Sequence, residues 1–459
     1  MISQAYIILR CTLFIIYLLI LAEGMHPQKA NASNLILTHI EDEVVNDNPL
    51  WNELSEGFEA SLRINSYGLY QGVASSTQNP DNDFLRIPRF LFDLDIRPDF
   101  YLHFRKLEFS VKPRAYLEWS SIEEGLRRED TDWKNDWYIN EWLVRLGVTD
   151  SLFLSYGREN IQWGPSYLFS PSNPFFENNG RMNPNMEVAG MDFATLIWGP
   201  SIRWSLSLIA NTGEGHQEYK TGKLHKSYAV KIDYTGNEGY IGFILSRREK
   251  ETHRIGTFGG LTASDAVLLY TDIGFSRSSD VLYPVEDILS PFGVSMQALD
   301  EDSSKWSGAM MVGASYTFMA GPVISAEYLY NDAGYSNNQA NQYYQLRHDA
   351  SDAYYGNGLT GGISRIVLGQ TVNPGIRFFR KNYLVLQYSQ NDIKNVLNLS
   401  FSLIYNMDDR GGELVSNLNY AVGDHMQVFS VGCINTGVAD SEFRSVLDSF
   451  LTIGLEYTF

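Results

Sequence analysis

The stretch from Tyr156 to Asp192, YGRENIQWGPSYLFSPSNPFFENNGRMNPNMEVAGMD, gathers the side chains of this 459-residue chain best suited to recognition. Trp163, Tyr167, Phe169 and Phe175 offer ring faces to a glycan or narrow a passage, and Arg158 and Arg181 offer fixed charge that selects anionic groups. The same rings would serve equally to pack a loop against a wall or to join an interfacial girdle. Pro165, Pro171, Pro174 and Pro184 withhold ladder donors, so the stretch is a loop folded against a rim or into a lumen, not a central strand. A second group is Asp93, Asp95 and Arg97, followed by Lys112 and Arg114. If Phe90, Phe92, Leu94 and Ile96 face lipid, these charges face inward. There, opposed rows would set a transverse field across a pore, or pair as salt bridges that fill a narrow one.

Covalent chemistry finds no comparable cluster. None of the eight histidines sits in a Gly-x-Ser-x-Gly elbow or a His-Glu-x-x-His helix, and no phosphate-binding or dinucleotide fingerprint occurs. No enzyme activity, cofactor or metal is expected.

The elements that would position these residues are strands. From Leu107 to Trp119, apolar and polar residues alternate over thirteen positions, longer than the five or six usual in a globular sheet and long enough for a tilted strand to cross a bilayer. The pattern recurs, and hairpins are predicted across Gly199-Pro200, Thr235 to Gly239, Met319 to Pro322 and the Asp-Asp-Arg-Gly-Gly turn after Met407. Long polar connectors, among them 76–83, 120–136, 211–226, 247–265, 276–305 and 332–355, alternate with these tight turns. Short turns at one end and long loops at the other mark an outer-membrane barrel. In hydrocarbon every backbone donor and acceptor needs an internal partner, so only a sheet without edges can span a membrane by strands. The expectation is all-β: a transmembrane antiparallel β-barrel of 16–18 strands with long extracellular loops, its count least certain between 336 and 382.

The amino-terminal segment supports export. Arg10, the apolar run Cys11 to Ala22 and the small-residue site Ala30-Asn31-Ala32 read as a signal peptide over 1–32. Residues 33–55 read as a short periplasmic extension or plug, and 56–459 as the barrel. Removing Arg10, Lys29 and Glu23 leaves 33 basic and 53 acidic side chains, a charge of −20 that argues against nucleic-acid binding. Cys433 is then the only thiol, so no internal disulfide stabilises an exported domain.

The chain ends SFLTIGLEYTF, with Leu451, Ile453, Leu455, Tyr457 and Phe459 on one face. That pattern resembles the terminal signature of Gram-negative outer-membrane proteins, which implies recognition by the barrel-assembly machinery and a place in the outer membrane among lipopolysaccharide. GRENIQWG followed by SPSNPF resembles elements of a porin-like group that includes alginate-export-type barrels. WGPSYLFSPSNP also resembles the Trp-Gly-Pro stretch of Wzi capsule-assembly barrels, although Ser166 stands where that pattern has glycine. Two functions follow as expectations: a channel passing small polar solutes or an exported polymer, or a non-conducting barrel that binds surface polysaccharide.

Overall fold

The computed structural model describes residues 49–176, 180–183, 185–216, 225–249, 252–277, 281–298 and 306–459. Among these, the first four strands, β1 (Phe58–Val73), β2 (Phe90–Phe104), β3 (Leu107–Ser121) and β4 (Thr131–Thr149), are the longest. β5 (Leu152–Glu159), β6 (Met191–Ser201), β7 (Trp204–Gly213), β8 (Ser227–Thr235) and β9 (Gly239–Arg248) are shorter. β10 (Thr252–Ser264) and β11 (Val267–Arg277) follow, and β12 (Leu282–Glu286) and β13 (Val294–Ala298) pair apart as a small hairpin. β14 (Trp306–Thr317), β15 (Val323–Asn331), β16 (Asn382–Ile393), β17 (Leu397–Asn406), β18 (Gly412–Val422), β19 (Met426–Thr436) and β20 (Leu447–Thr458) complete the ring.

Omitting the β12–β13 hairpin, eighteen strands pair antiparallel with their neighbours in sequence, and β1 pairs β20, from Arg63 opposite Thr458 to Gly72 opposite Ser449. The Phe459 N–H reaches the Leu62 carbonyl at 2.9 Å, so the last aromatic residue sits on the closing seam. The barrel is therefore closed, with a count inside the expected range. Outward positions are apolar and bare: Phe243, Leu245 and Ile453 are all more than half exposed, whereas inward Ile244 and Phe193 are 2% exposed. An apolar belt of this extent around a ring without edges is built for hydrocarbon. Aromatic pairs collect at its short-turn end: Trp204 with Tyr234 at 4.8 Å, Tyr316 with Phe318 at 4.8 Å and Tyr457 with Phe459 at 4.6 Å. Leu451, Ile453 and Phe459 of the terminal signature are exposed on the same outer surface.

The structure differs from the sequence reading in four places. The stretch 247–265, expected as a long loop, is largely β10; glycines at 256, 259 and 260 dilute its alternation. The turn between β6 and β7 falls at Ile202 and Arg203, not at Gly199-Pro200. The connector expected over 120–136 is shorter, because β3 continues to Ser121 and β4 begins at Thr131. The fourth difference is helical: α1 (Pro49–Glu56), α2 (Asn337–Asp352) and α3 (Leu359–Val372). α2 starts at a capping box in which Ser336 and Gln339 satisfy each other's backbone amides, and buries Ala340, Tyr343, Leu346, Arg347 and Ala350 at helical spacing. Ala340, Tyr343, Leu346 and Ala350, together with α3, Tyr335, Phe379 and residues of the β12–β13 hairpin, form a separate apolar cluster at the long-loop rim. The predicted signal peptide lies outside the described residues, as does the 33–55 extension apart from α1. Glu53 of α1 receives two hydrogen bonds from Arg105 at 3.0 Å, which tie the helix to the β2–β3 turn.

Candidate functional site

Between β5 and β6, the described residues 160–176, 180–183 and 185–190 fold inward and lace around the inner wall. The first anchor of this loop is on β11 and β15. Asp272 accepts the Ser170 hydroxyl at 2.6 Å and the Ser172 N–H at 2.7 Å. Glu327 accepts the Tyr167 N–H at 2.8 Å and the Tyr270 hydroxyl at 3.0 Å. Two glycines give the loop room: a Cβ at Gly256 would lie 2.7 Å from the Ser172 Cα, and one at Gly274 would fall on the Pro171 carbonyl oxygen. Further round, the Ser402 hydroxyl bonds the Tyr167 hydroxyl at 3.0 Å.

The second anchor is on β1 to β4. Asn65 and Arg97 both donate to the Asn185 carbonyl, at 3.4 and 3.1 Å. Arg114, 2% exposed, grips Glu187 through two guanidinium nitrogens and Asp99 at 2.8 Å, and Arg63 bridges the same two carboxylates at 3.2 and 3.3 Å. Burial opposes the charge on Glu187, yet the hydrogen bond and charge of Arg114, with Arg97 and Arg63 behind it, hold its carboxyl below the ordinary glutamate range.

Between the anchors lies a cavity of about 700 Å³. One wall presents Lys112, Asn140 and Glu141 from β3 and β4; another presents Gln387, Ser389 and Ser400 from β16 and β17; the loop contributes Tyr167, Arg181 and Glu187. Lys112 is ion-paired with Glu141, and Arg181 donates to the Ser166 carbonyl at 2.8 Å. The lining thus carries two cations and two anions amid amides and hydroxyls, which suits hydrated polar solutes.

The predicted residues divide accordingly. Tyr167 and Arg181 line the cavity. Trp163 and Phe175 meet edge to face at 6.0 Å and pack into the apolar cluster of β6 to β10, while Phe169 packs against Phe378 at 5.6 Å under Arg377. Arg158 does not reach the lumen. It lies on the outward face of β5 with Tyr156, pairs Asp192 at 2.8 Å and caps the Ile139 carbonyl at 2.9 Å, on the part of β4 that rises beyond β5. Of the charged rows, Arg97 pairs Asp95 at 2.6 Å, Asp93 is buried, and Arg114 holds the loop. Lys112 alone of these five faces the cavity, so the rows are largely paired along one wall. Glu187, Asp272 and Glu327 were missed, although buried inward arginines and a loop full of serine hydroxyls called for carboxylate partners.

No protein family matches the sequence, and no curated protein matches it. Solved structures do. The chain is similar to the outer membrane protein OprD from Pseudomonas aeruginosa, at TM-score 0.51 and 11% identity over 88% of this chain and 94% of that one. It is similar to OccK7 (OpdD) of the same organism, at TM-score 0.53 and 9% identity over 88% and 98%, and to OccAB1 of Acinetobacter baumannii, at TM-score 0.52 and 11% identity over 88% and 97%. The chain has the fold of these barrels. At such identity the likeness concerns architecture: a closed ring of eighteen strands with few helices.

Proposed function

We propose that this chain is a diffusion channel of a Gram-negative outer membrane, through which small polar solutes pass a constriction formed by the 160–190 loop. The observation that carries the reading is the polar cavity between Lys112 and Glu141 on one wall and Gln387 and Ser389 on the other, narrowed by Arg181 and Glu187 without being filled. A lumen meant only as scaffold would be packed with side chains, whereas this one keeps water-sized space beside balanced charge. The glycan-binding alternative asks for ring faces open to a ligand, and Trp163, Phe169 and Phe175 turn theirs to the wall. Conductance of the purified barrel in planar bilayers tests the proposal. Discrete, ohmic steps are expected, and a folded barrel that inserts and stays silent would refute it.

A further inference from the structure

The two sides of the lumen differ in kind. On β1 to β4 the inward positions carry Arg63, Asp95, Arg97, Lys112, Arg114 and Glu141, each held by an opposite charge. Across the cavity the wall carries amides and hydroxyls instead. Gln387, Ser389 and Asn391 on β16 and Ser400 on β17 face the cavity. The register sets Gln387 opposite Ser402, Ser389 opposite Ser400, and Ser400 opposite Asn417 on β18. One row toward the short turns, Asn398 lies opposite Asn419, whose side-chain oxygen takes the Gln427 amide at 3.0 Å. The spans 387–391, 398–406, 415–419 and 427–435, all of them described, contain no charged residue.

Asparagine and glutamine each present a donor and an acceptor on neighbouring atoms, and serine presents both on one oxygen. Among the described residues, the side chains of Gln387, Ser389 and Asn391 make no hydrogen bond within the protein, so these groups are open to the cavity. A solute hydroxyl also donates and accepts, and such a wall serves it without demanding a sign of charge. An ion in the same space gives up hydration, and the charges it meets on the far wall are already paired. Inward positions stand about 7 Å apart along a strand and about 4.8 Å apart between strands. A solute that carries hydroxyls around its whole rim therefore finds a partner at every step. At about 30 Å³ per water, the cavity of about 700 Å³ has room for roughly twenty waters, enough for a monosaccharide-sized solute with part of its hydration.

We infer that the channel prefers neutral polyhydroxylated solutes, monosaccharides and alditols, and that Gln387, Ser389 and Asn391 set the preference. The inference rests on the channel reading above and names the solute class of the same cavity.

The test uses the full chain in planar bilayers, with occlusion of the ion current read as glucitol, gluconate or glucamine is added. The three share a six-carbon chain and most of their hydroxyls but differ in charge. Glucitol should occlude the current at a concentration at least about tenfold below that needed of either charged analogue. Gln387→Ala with Asn391→Ala should raise the glucitol requirement by about tenfold, the scale of two hydrogen bonds lost. Heat-modifiable gel migration reports whether this variant is folded; if it is not, Gln387→Glu is read, and it should move the preference toward glucamine. A folded barrel that never conducts would refute the channel reading itself. Steady conductance in which gluconate or glucamine occludes as well as glucitol would overturn this inference alone. So would a folded double variant that answers glucitol as the wild type does, or a Gln387→Glu barrel with an unshifted preference.

Discussion

Replacing Glu187 with glutamine removes one charge and almost no volume from the second anchor of the constriction loop. Breaking a buried ion pair outright costs about 3–5 kcal/mol. Arg114 would keep Asp99 at 2.8 Å and the Pro98 and Pro113 carbonyls, so its charge is not abandoned. Half of that cost, about 2 kcal/mol, is a reasonable expectation, equivalent to roughly a thirtyfold shift toward the undocked loop. Single-channel recording is the assay: E187Q should add rapid transitions and open-channel noise where the wild type is steady. The pH response follows from linkage. The folded-state acidity of Glu187 is strengthened relative to an ordinary glutamate near 4.5, so its anchoring is fully present above that value and fades only as pH falls below it. Wild-type channels should therefore acquire the noise of the variant in acid, and E187Q should be less sensitive to the same change. Identical noise in both proteins at neutral pH would refute the idea that this carboxylate holds the loop.

Other expectations concern different parts of the molecule. Glu442, in the β19–β20 loop, accepts the Phe379 N–H and the Tyr383 and Asn406 side chains, and burial pushes its carboxyl up to about 7. Its contribution to stability is complete below pH 4.5 and is lost as pH rises through 7, by up to about 3 kcal/mol; proteolysis of the long loops should speed up between pH 5 and 8.5 in the wild type, and Glu442→Gln should flatten that difference. Gly274→Val would drive a side chain into the Pro171 carbonyl and displace the first anchor, so conductance should change in a barrel that still shows heat-modifiable migration; unchanged conductance would argue against contact there. Phe459→Ala removes an exposed ring from the seam, and the expected loss is in the yield of assembled barrel, with little change in the melting temperature of whatever does assemble.

How far the sequence went follows from the physics of each region. Alternation of period two is strong wherever one face meets lipid and the other the lumen, as from Leu107 to Trp119, and there strands and facing could be read directly. Around β10, Gly256 leaves room for the loop at Ser172 while Gly259 and Gly260 lie against Tyr240 of β9, and these small residues together erased the pattern. α2 was legible in principle from Ser336, Gln339 and the spacing of Tyr343, Leu346 and Ala350. At the site, the richness of the Tyr156 to Asp192 stretch was plain, but the direction each ring takes was not: Trp163 and Tyr167 are four residues apart, and one packs into the wall while the other lines the passage. Such choices depend on partners like Glu327 and Ser402, more than 150 residues away.

The seam joining β1 to β20 also has a consequence for how the molecule is made. Residues nearly 400 positions apart, such as Arg63 and Thr458, are neighbours there, so the wall cannot lose its two open borders until the final strand arrives. Any intermediate that has folded its hairpins in order still carries two adhesive margins, and it must be shielded from its own kind for that whole interval. Because both margins end at the same rim, a gene that begins instead at the Asp150-Ser151 turn, with a short linker from Phe459 to Gly57, should yield the same ring with its seam moved elsewhere.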